Sequence, residues 1–205
     1  PFLINNSINQ RYYSFSYNNA YFIVLDSYFL EELDIGTKQY VWLEEQLKEG
    51  NKYDYTFVFF HHPPFTCVEG RDYHLINPHW PELFTKYNVH TVFNGHLHYY
   101  SRDNINNVNY VITGSAGIYL EHVSNPDCAI KLESAYNYVI IDIDNDKFTS
   151  TAYNDNGKII DNYTETKSSN LEKEIFEFAI IGDYGSAGQN LREVSNLIHS
   201  WDPEF

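Results

Sequence analysis

Three apolar runs in this chain each lead into residues that commonly bind metal ions. Each run has the β-branched and aromatic composition of a buried strand, and proline or glycine follows closely. The runs and the residues behind them are Tyr55–Phe60 with His61 and His62, residues 89–93 with His96 and His98, and residues 176–181 with Asp183. Because ligands of open α/β sheets bind beyond the carboxyl ends of the strands, the pattern predicts an α/β protein with a metal site at that edge.

The remaining periodicity predicts short elements that alternate early in the chain and become mostly strands later. A helix is expected over residues 38–48, with Thr37 as its N-cap and Gly50 closing it. Two more helices are expected over residues 81–87 and 191–201. Further strands are expected at residues 21–25, 110–113, 138–143, 147–153 and 158–160. This order of elements predicts an α/β sandwich.

The three blocks together resemble the motifs of one family. F-A-I-I-G-D-Y-G, F-F-H-H-P-P-F and V-F-N-G-H-L-H-Y-Y-S-R are similar to blocks of the calcineurin-like metallophosphoesterases, and the purple acid phosphatase-like branch is nearest. The combination of G-H-x-H downstream of H-x-P is specific, whereas G-D alone is not. The resemblance implies a metallophosphoesterase-type β-sandwich flanked by helices.

The resemblance also implies a hydrolase with a two-metal centre. Carried over motif by motif, Asp183 and His98 would bind one metal ion, and His61 and His96 would bind the other. The ions would be divalent or trivalent Fe, Zn or Mn. They would clamp a phosphomonoester and supply a metal-bound hydroxide, as in an acid phosphatase. The alternative is a non-catalytic binding or structural module with the phosphatase fold in a tandem protein.

Further residues near the implied ligands are candidates for a role at the site. His74 and His79 lie in the loop after His61, a region that contacts substrate in relatives. His62 adjoins His61, and it is either a catalytic candidate or a packed residue that supports its neighbour. Asp26 follows a predicted strand and is expected to be a packing or hydrogen-bonding residue.

The blocks stand in a different order from that of the family. The G-D strand opens the family's domain, but Gly182-Asp183 lies near the end of these 205 residues. A second G-D block, which supplies the bridging Asp, and a G-N-H block are missing, so the implied fold is incomplete. The chain is interpreted as a window from a tandem protein or as part of a circularly permuted domain, and we favour the tandem window. Alone, it is expected to be a poor catalyst.

The expected division of the chain follows from this order. Residues 1–165 form the C-terminal part of one phosphoesterase domain, and residues 166–174 form a linker. Residues 175–205 supply the opening strand and helix of a second copy, or the permuted start of the same domain. This segment is expected to dock on the 1–165 body, within one chain or as a domain swap, and to place Asp183 near His96 and His98.

Composition restricts the partners. The net charge of −15 argues against nucleic acid and anionic membranes, which need Lys and Arg. No apolar run approaches the roughly 18 residues of a membrane span. A small phosphate ester is compatible with this charge because bound metal ions set the local field.

The compartment is only weakly indicated. The chain's two cysteines, Cys67 and Cys128, form either one disulfide or two buried thiols. N-x-[ST] sites at Asn5 and Asn162 slightly favour a secreted protein.

Overall fold

The computed structural model describes residues 3–9, 11–68, 79–123, 126–144, 146–166 and 175–183. The chain forms two compact units, one of residues 1–94 with 102–111 and one of residues 95–101 with 112–205. Within the described ranges, no helix is both long and apolar enough to cross a membrane.

A mixed sheet forms the centre of the first unit. Its strands are β1 (Leu3–Asn9), β2 (Tyr12–Tyr17), β3 (Ala20–Val24), β4 (Tyr55–Phe60), β5 (Thr91–Asn94) and most of β6 (Tyr100–Ile105) and β7 (Val108–Thr113). They lie in the order β1-β2-β3-β4-β5-β7-β6. β4 pairs in parallel with both β3 and β5. The carboxyl ends of β3 and β4, at Val24 and Phe60, therefore lie at the same edge of the sheet.

Two helices bury their apolar faces in the core of this unit. They are α1 (Lys38–Gly50) and α2 (His79–Lys86), which confirms the two helices predicted there. The side-chain oxygen of Thr37 accepts a hydrogen bond from the backbone N–H of Tyr40 at 3.4 Å, as expected of an N-cap. The large core side chains from the helices are Trp42, Leu43, Leu47, Trp80, Leu83 and Phe84.

Gly50 closes α1, as predicted, and close packing explains the glycine. It is the last helical residue, and Asn51 behind it stays in the right-handed region with φ −63. A Cβ on Gly50 would lie 2.8 Å from Oγ1 of Thr56 at the start of β4. The close approach of a strand therefore requires the glycine at the position where the helix was predicted to close.

Of the hairpin formed by β6 and β7, only β7 was predicted. Its turn is Asn106-Asn107, with φ of 53 and 65, and both values are typical of a two-residue turn between antiparallel strands. Asparagine tolerates this left-handed backbone better than other non-glycine residues. β6 escaped prediction because residues 101–104 are all polar, whereas β7 is apolar and buried throughout most of its length.

The second unit contains an antiparallel sheet of four strands. These are β9 (Asn137–Asp144), β10 (Lys147–Asn154), β11 (Ile159–Thr166) and β12 (Ile175–Ile180), in the order β11-β10-β9-β12. A short strand, β8 (Lys131–Glu133), precedes them. β12 pairs with β9 so that Phe178 lies opposite Ile141. Both side chains are buried, and this apolar pairing fixes the segment that leads to Asp183.

β11 is longer than the three residues predicted for it. It pairs with β10 from Ile159 to Thr166, and the hydroxyls of Thr149 and Thr164 lie 3.0 Å apart across the pair. Because its exposed face is polar, most of this strand could not be recognised from the sequence. The predicted linker therefore begins only after β11, and residues 167–174, like the helix predicted at 191–201, lie outside the described residues.

Candidate functional site

The H-H-P turn leaves the sheet directly after β4, in the first unit. His61 is partly exposed, whereas His62 has only 8% of its surface exposed. The two rings meet edge to face, with centroids 4.8 Å apart at 85°. Pro63 and Pro64 follow, and neither can donate to a sheet ladder, so the strand stops here.

Ser27 fixes the position of His62. The backbone N–H of His62 donates to the hydroxyl of Ser27 at 3.1 Å, and Nδ1 of His62 lies 2.9 Å from the same oxygen. Both residues are buried. The Ser27 hydroxyl thus contacts both the backbone and the ring of His62, and it keeps the ring in one orientation.

Asp26 organises the loop after β3. Its backbone is held by Gln39, which accepts from the Asp26 N–H and donates to the Asp26 carbonyl, each at 2.8 Å. Its carboxylate accepts from the backbone N–H of Tyr28 at 2.9 Å and lies 3.6 Å from Arg11. These contacts agree with the hydrogen-bonding role predicted for Asp26.

The loop after H-H-P is anchored to the core by an aromatic contact. The ring of Phe65 meets the ring of Tyr110 edge to face, with centroids 4.8 Å apart. Burial raises the pKa of the Tyr110 phenol far above its usual value, so this residue stays neutral at any physiological pH.

The G-H-x-H loop belongs to the second unit. His96 adopts a left-handed backbone with φ 69, and the N–H groups of Leu97 and Tyr99 close tight turns onto the carbonyls of Gly95 and Leu97 at 2.8 and 3.0 Å. His98 is buried, with 8% of its surface exposed. Its ring meets that of Tyr119 edge to face at 4.7 Å.

Asp183 lies beside this loop, in the same unit. Its carboxylate oxygen Oδ2 accepts a hydrogen bond from the backbone N–H of His96. Asp183 itself has a left-handed backbone, with φ 46. Asp183 therefore lies beside the G-H-x-H loop, where docking of the 175–205 segment was expected to bring it.

Two glycines make room for this arrangement. A Cβ on Gly114 would lie 2.8 Å from Oδ2 of Asp183 and 2.5 Å from the carbonyl oxygen of Leu97. A Cβ on Gly182 would lie 2.5 Å from the carbonyl oxygen of Thr113. These contacts are shorter than van der Waals contact, so larger residues would displace Asp183.

Glu121 is a residue that sequence reasoning missed. It is buried, and its carboxylate accepts from the backbone N–H of His98 at 3.4 Å while its own N–H donates to the His98 carbonyl at 3.0 Å. Ser134 further holds the Glu121 carbonyl, donating to it at 2.6 Å. One residue thus fixes both backbone groups of His98. Residues 118–123 carry no strand or helix pattern, so nothing in the sequence marked it.

The remaining predicted residues lie elsewhere. His79 is the first residue of α2, and its Nδ1 lies 3.6 Å from a carboxylate oxygen of Glu82. His74 lies outside the described residues. Neither cysteine is free, because Cys67 and Cys128 are both disulfide-bonded.

The implied ligands suit a transition-metal ion. Imidazole nitrogen and carboxylate oxygen are donors that Fe, Zn and Mn accept. Within the described ranges, no group hydrogen-bonds the buried Nδ1 of His98. A buried polar atom without a partner costs about 1–3 kcal/mol, and coordination of a cation would satisfy it. The residues present therefore fit a metal site.

Comparison with known proteins supports the resemblance that the motifs carry. Residues 3–100, which include both histidine motifs, match the family model described as calcineurin-like phosphoesterase. This match covers slightly less than half of the chain and agrees with the family that the motifs resemble. Purple acid phosphatases are among the proteins to which the chain is similar, which supports the branch that the motifs predicted.

Three of these relatives are plant proteins. Purple acid phosphatase 13 of Arabidopsis thaliana is 32% identical over 137 residues, which cover 60% of this chain and 25% of that protein. The Fe(3+)-Zn(2+) purple acid phosphatase 12 of the same plant is 32% identical, and the match covers 55% of this chain and 24% of that protein. Phosphoenolpyruvate phosphatase of Allium cepa is 29% identical, with 78% of this chain and 39% of that protein covered. The chain thus spans about a quarter of the length of the two Arabidopsis phosphatases.

Two solved structures share the phosphoesterase fold. The purple acid phosphatase PPD1 from yellow lupin (Lupinus luteus) seeds superposes with a TM-score of 0.66 at 20% identity, covering 76% of this chain and 32% of that one. GAP50 of Plasmodium superposes with a TM-score of 0.62 at 14% identity, covering 87% and 55%. These likenesses confirm the predicted mixed α/β class with large sheets and few helices.

Proposed function

We propose that this chain supplies ligands and supporting residues to a metal-dependent phosphoric ester hydrolase of the acid phosphatase type, acting on phosphomonoesters. The observation that carries the proposal is the hydrogen bond from His96 N–H to the carboxylate of Asp183. It joins the G-D and G-H-x-H blocks, which stand in reversed order in the sequence. A domain that had lost its metal site would be under no constraint to keep these two motifs in contact.

The proposed ligands are those that the family motifs assign. Asp183 and His98 bind one metal ion, and His61 and His96 bind the other. When bound, such a pair of ions polarises the phosphoryl group and lowers the pKa of the attacking water. Fe, Zn and Mn all accept these donors, and one relative is named as an Fe(3+)-Zn(2+) enzyme.

Residues around the ligands hold them in place. Glu121 fixes the backbone of His98, and Gly114 leaves room for the Asp183 carboxylate. Ser27 orients His62 beside the ligand His61. His62, His74 and His79 stay candidates for contact with the phosphate ester.

The segment that carries Asp183 is proposed to complete the body formed by residues 1–165. The pairing of β12 with β9, over residues Ile175 to Ile180, supports this arrangement. The same pairing made between two chains would be a domain swap. The division into residues 1–165, 166–174 and 175–205 is part of this proposal.

A non-catalytic role is the second candidate. GAP50, which shares the fold, is named as the anchor in the inner membrane complex of Plasmodium. A decayed site would be expected to lose some of its ligand-type residues. This chain keeps histidine or aspartate at all three motifs, which favours the hydrolase.

Secretion is the proposed localisation. Disulfide-bonded Cys67 and Cys128 are typical of proteins that fold in an oxidising compartment. Asn162, in one of the two glycosylation sequons, is exposed on β11.

Metal analysis tests the proposed function. The purified chain is dialysed against Zn²⁺ or Mn²⁺, and bound metal and hydrolysis of an aryl phosphate are measured for the parent, for His98→Ala and for His122→Ala, an exposed histidine outside the site. We expect metal binding that His98→Ala reduces and His122→Ala leaves unchanged, with slow, chelator-sensitive hydrolysis. Absence of metal binding, or hydrolysis that survives complete chelation, would contradict the proposal.

A further inference from the structure

An exposed aromatic ring lies against the histidines of the H-H-P turn. The ring of Tyr28 stacks on that of His61, with centroids 5.5 Å apart at 21°, and meets the ring of His62 at 4.8 Å and 64°. All three residues belong to the first unit. Tyr28 is nevertheless 67% exposed, so most of its surface is available to a ligand at His61.

Tyr28 is held in place although it is exposed. The Asp26 carboxylate accepts from its backbone N–H at 2.9 Å, and Gln39 fixes Asp26 in turn. Ser27, which lies between Asp26 and Tyr28 in the chain, holds His62. The ring therefore stands on a loop that is tied at three consecutive residues, so an aromatic partner could stack on it without ordering the loop first.

Apolar surface continues from Tyr28 along the chain. Phe29 is 44% exposed and Leu30 is 48% exposed. Three large apolar side chains exposed in succession are uncommon on a folded protein unless they form a binding surface. The guanidinium of Arg11 covers one face of Phe29 at 4.1 Å, which leaves Tyr28 and Leu30 as the open part.

The charges around this surface select against anionic groups. Arg11 is already paired with Glu32 at 2.7 Å and lies 3.6 Å from Asp26. Glu31 and Asp34 are exposed nearby in the sequence, and the whole chain has a net charge of −15. A second negative group on the substrate would therefore be repelled, whereas a neutral aromatic group would be accepted.

We propose that Tyr28, continued by Leu30, forms a subsite for the organic group of the phosphate ester, and that this group is neutral and aromatic. The inference rests on the proposed function, because it assumes that the phosphoryl group binds at His61. The Tyr28 ring then stacks on the aryl group as the phosphate engages the metal site. Esters that carry further carboxylates or phosphates gain nothing from this surface.

Binding of phosphonates, which are not hydrolysed, tests the subsite without relying on activity. The affinities of phenylphosphonate, methylphosphonate and phosphonoacetate are measured by calorimetry on the full 205-residue chain loaded with Zn²⁺. The variants are Tyr28→Ala, Tyr28→Phe, which keeps the ring, and Ile130→Ala, which removes an exposed apolar side chain elsewhere. We expect phenylphosphonate to bind about 3- to 10-fold more tightly than methylphosphonate, and phosphonoacetate to bind no more tightly than methylphosphonate.

The variants separate the subsite from the metal site. Tyr28→Ala should abolish the preference for the phenyl group and leave Zn²⁺ and methylphosphonate affinities unchanged, while Tyr28→Phe and Ile130→Ala retain the preference. Equal binding of the phenyl and methyl compounds by the parent would overturn the subsite alone. A preference that persists in Tyr28→Ala would do the same. If no phosphonate binds the Zn²⁺-loaded chain, the proposed function and the subsite both fail.

Discussion

The carboxylate of Asp183 accepts a hydrogen bond from the backbone N–H of His96, a residue 87 positions earlier in the chain. The contact places the carboxylate of the G-D block against the loop that carries His96 and His98. It forms although the G-D block follows the histidine motifs in the sequence. Strand β12, which leads to Asp183, pairs with β9 in the same unit.

Replacement of Gly114 by alanine should disturb this contact. The added Cβ would lie 2.8 Å from Oδ2 of Asp183 and 2.5 Å from the Leu97 carbonyl, so we expect a loss of about 1–3 kcal/mol in the free energy of unfolding. Zn²⁺ affinity should fall as well. Gly157→Ala is the control, because it adds strain at φ +75 with no atom within 4 Å. It should cost about 1 kcal/mol and leave Zn²⁺ affinity unchanged; equal loss of affinity in both variants would contradict the steric argument.

Removal of the Glu121 carboxylate should loosen His98. Glu121→Ala leaves the His98 N–H without its side-chain acceptor, and a change in ligand support of this kind typically costs about 10- to 100-fold in metal affinity. Glu121→Gln keeps an oxygen that can accept the same hydrogen bond and should recover most of the loss. Co²⁺ titration followed by visible absorption measures both variants. Identical spectra and affinities for Glu121→Ala and the parent would show that Glu121 does not position His98.

Ser27→Ala should release His62. The change removes both contacts to the Ser27 hydroxyl in a buried position, so we expect a loss of about 1–3 kcal/mol in the free energy of unfolding. Thr149→Ala, which removes an exposed hydroxyl 3.0 Å from that of Thr164, should cost less than about 0.5 kcal/mol. Urea denaturation compares the two. The assignment of Ser27 as a support fails if both variants lose the same small amount.

Acid should weaken the contact between α1 and the end of α2. Hydrogen bonds from Lys86 and then from the Tyr87 hydroxyl, each 2.8 Å from Oε1, lower the pKa of Glu44. A lowered folded-state pKa means that this contribution is present above the pKa of about 4.3 for an unfolded Glu and is lost as the pH falls through the folded-state pKa. Glu44→Gln should therefore show a smaller loss of stability in this acidic range than the parent. Thermal melting at a series of pH values measures it, and parallel curves would refute the assignment.

Truncation after Thr166 should expose one side of β9. β12 pairs with β9 and buries Phe176 and Phe178, so its loss would leave the β9 edge unpaired. We expect the truncated chain to aggregate or dimerise, and the full chain to be monomeric if β12 pairs within its own chain. Light scattering after size exclusion gives both masses. A dimeric full chain that becomes monomeric after truncation would indicate a domain swap.

Local sequence predicted those parts of the fold whose own residues determine them. The apolar runs predicted β4 and β12, and Thr37 with the apolar repeat behind it predicted α1. β6 and the second half of β11 were missed because their exposed faces are polar and pairing with a neighbouring strand decides their conformation.

Prediction of the candidate site was limited in the same way, by contacts between residues distant in the sequence. His61, His96, His98 and Asp183 could be named because their motifs resemble those of a family. Glu121 and Tyr28 could not be named, since their importance lies in contacts with His98 and with the H-H-P turn, more than 20 residues away in the sequence. Such contacts are decided by the tertiary fold.

The left-handed backbones of His96 and Asp183 affect which substitutions would stabilise this protein and which would accompany loss of the metal site. With φ of 69 and 46, each adopts a conformation that glycine would tolerate better. Selection for thermal stability alone would favour glycine at both positions. Those substitutions would remove one imidazole and one carboxylate. Homologues that have drifted away from metal chemistry should therefore show glycine at these two positions, and stabilising selection in the laboratory should find the same changes early.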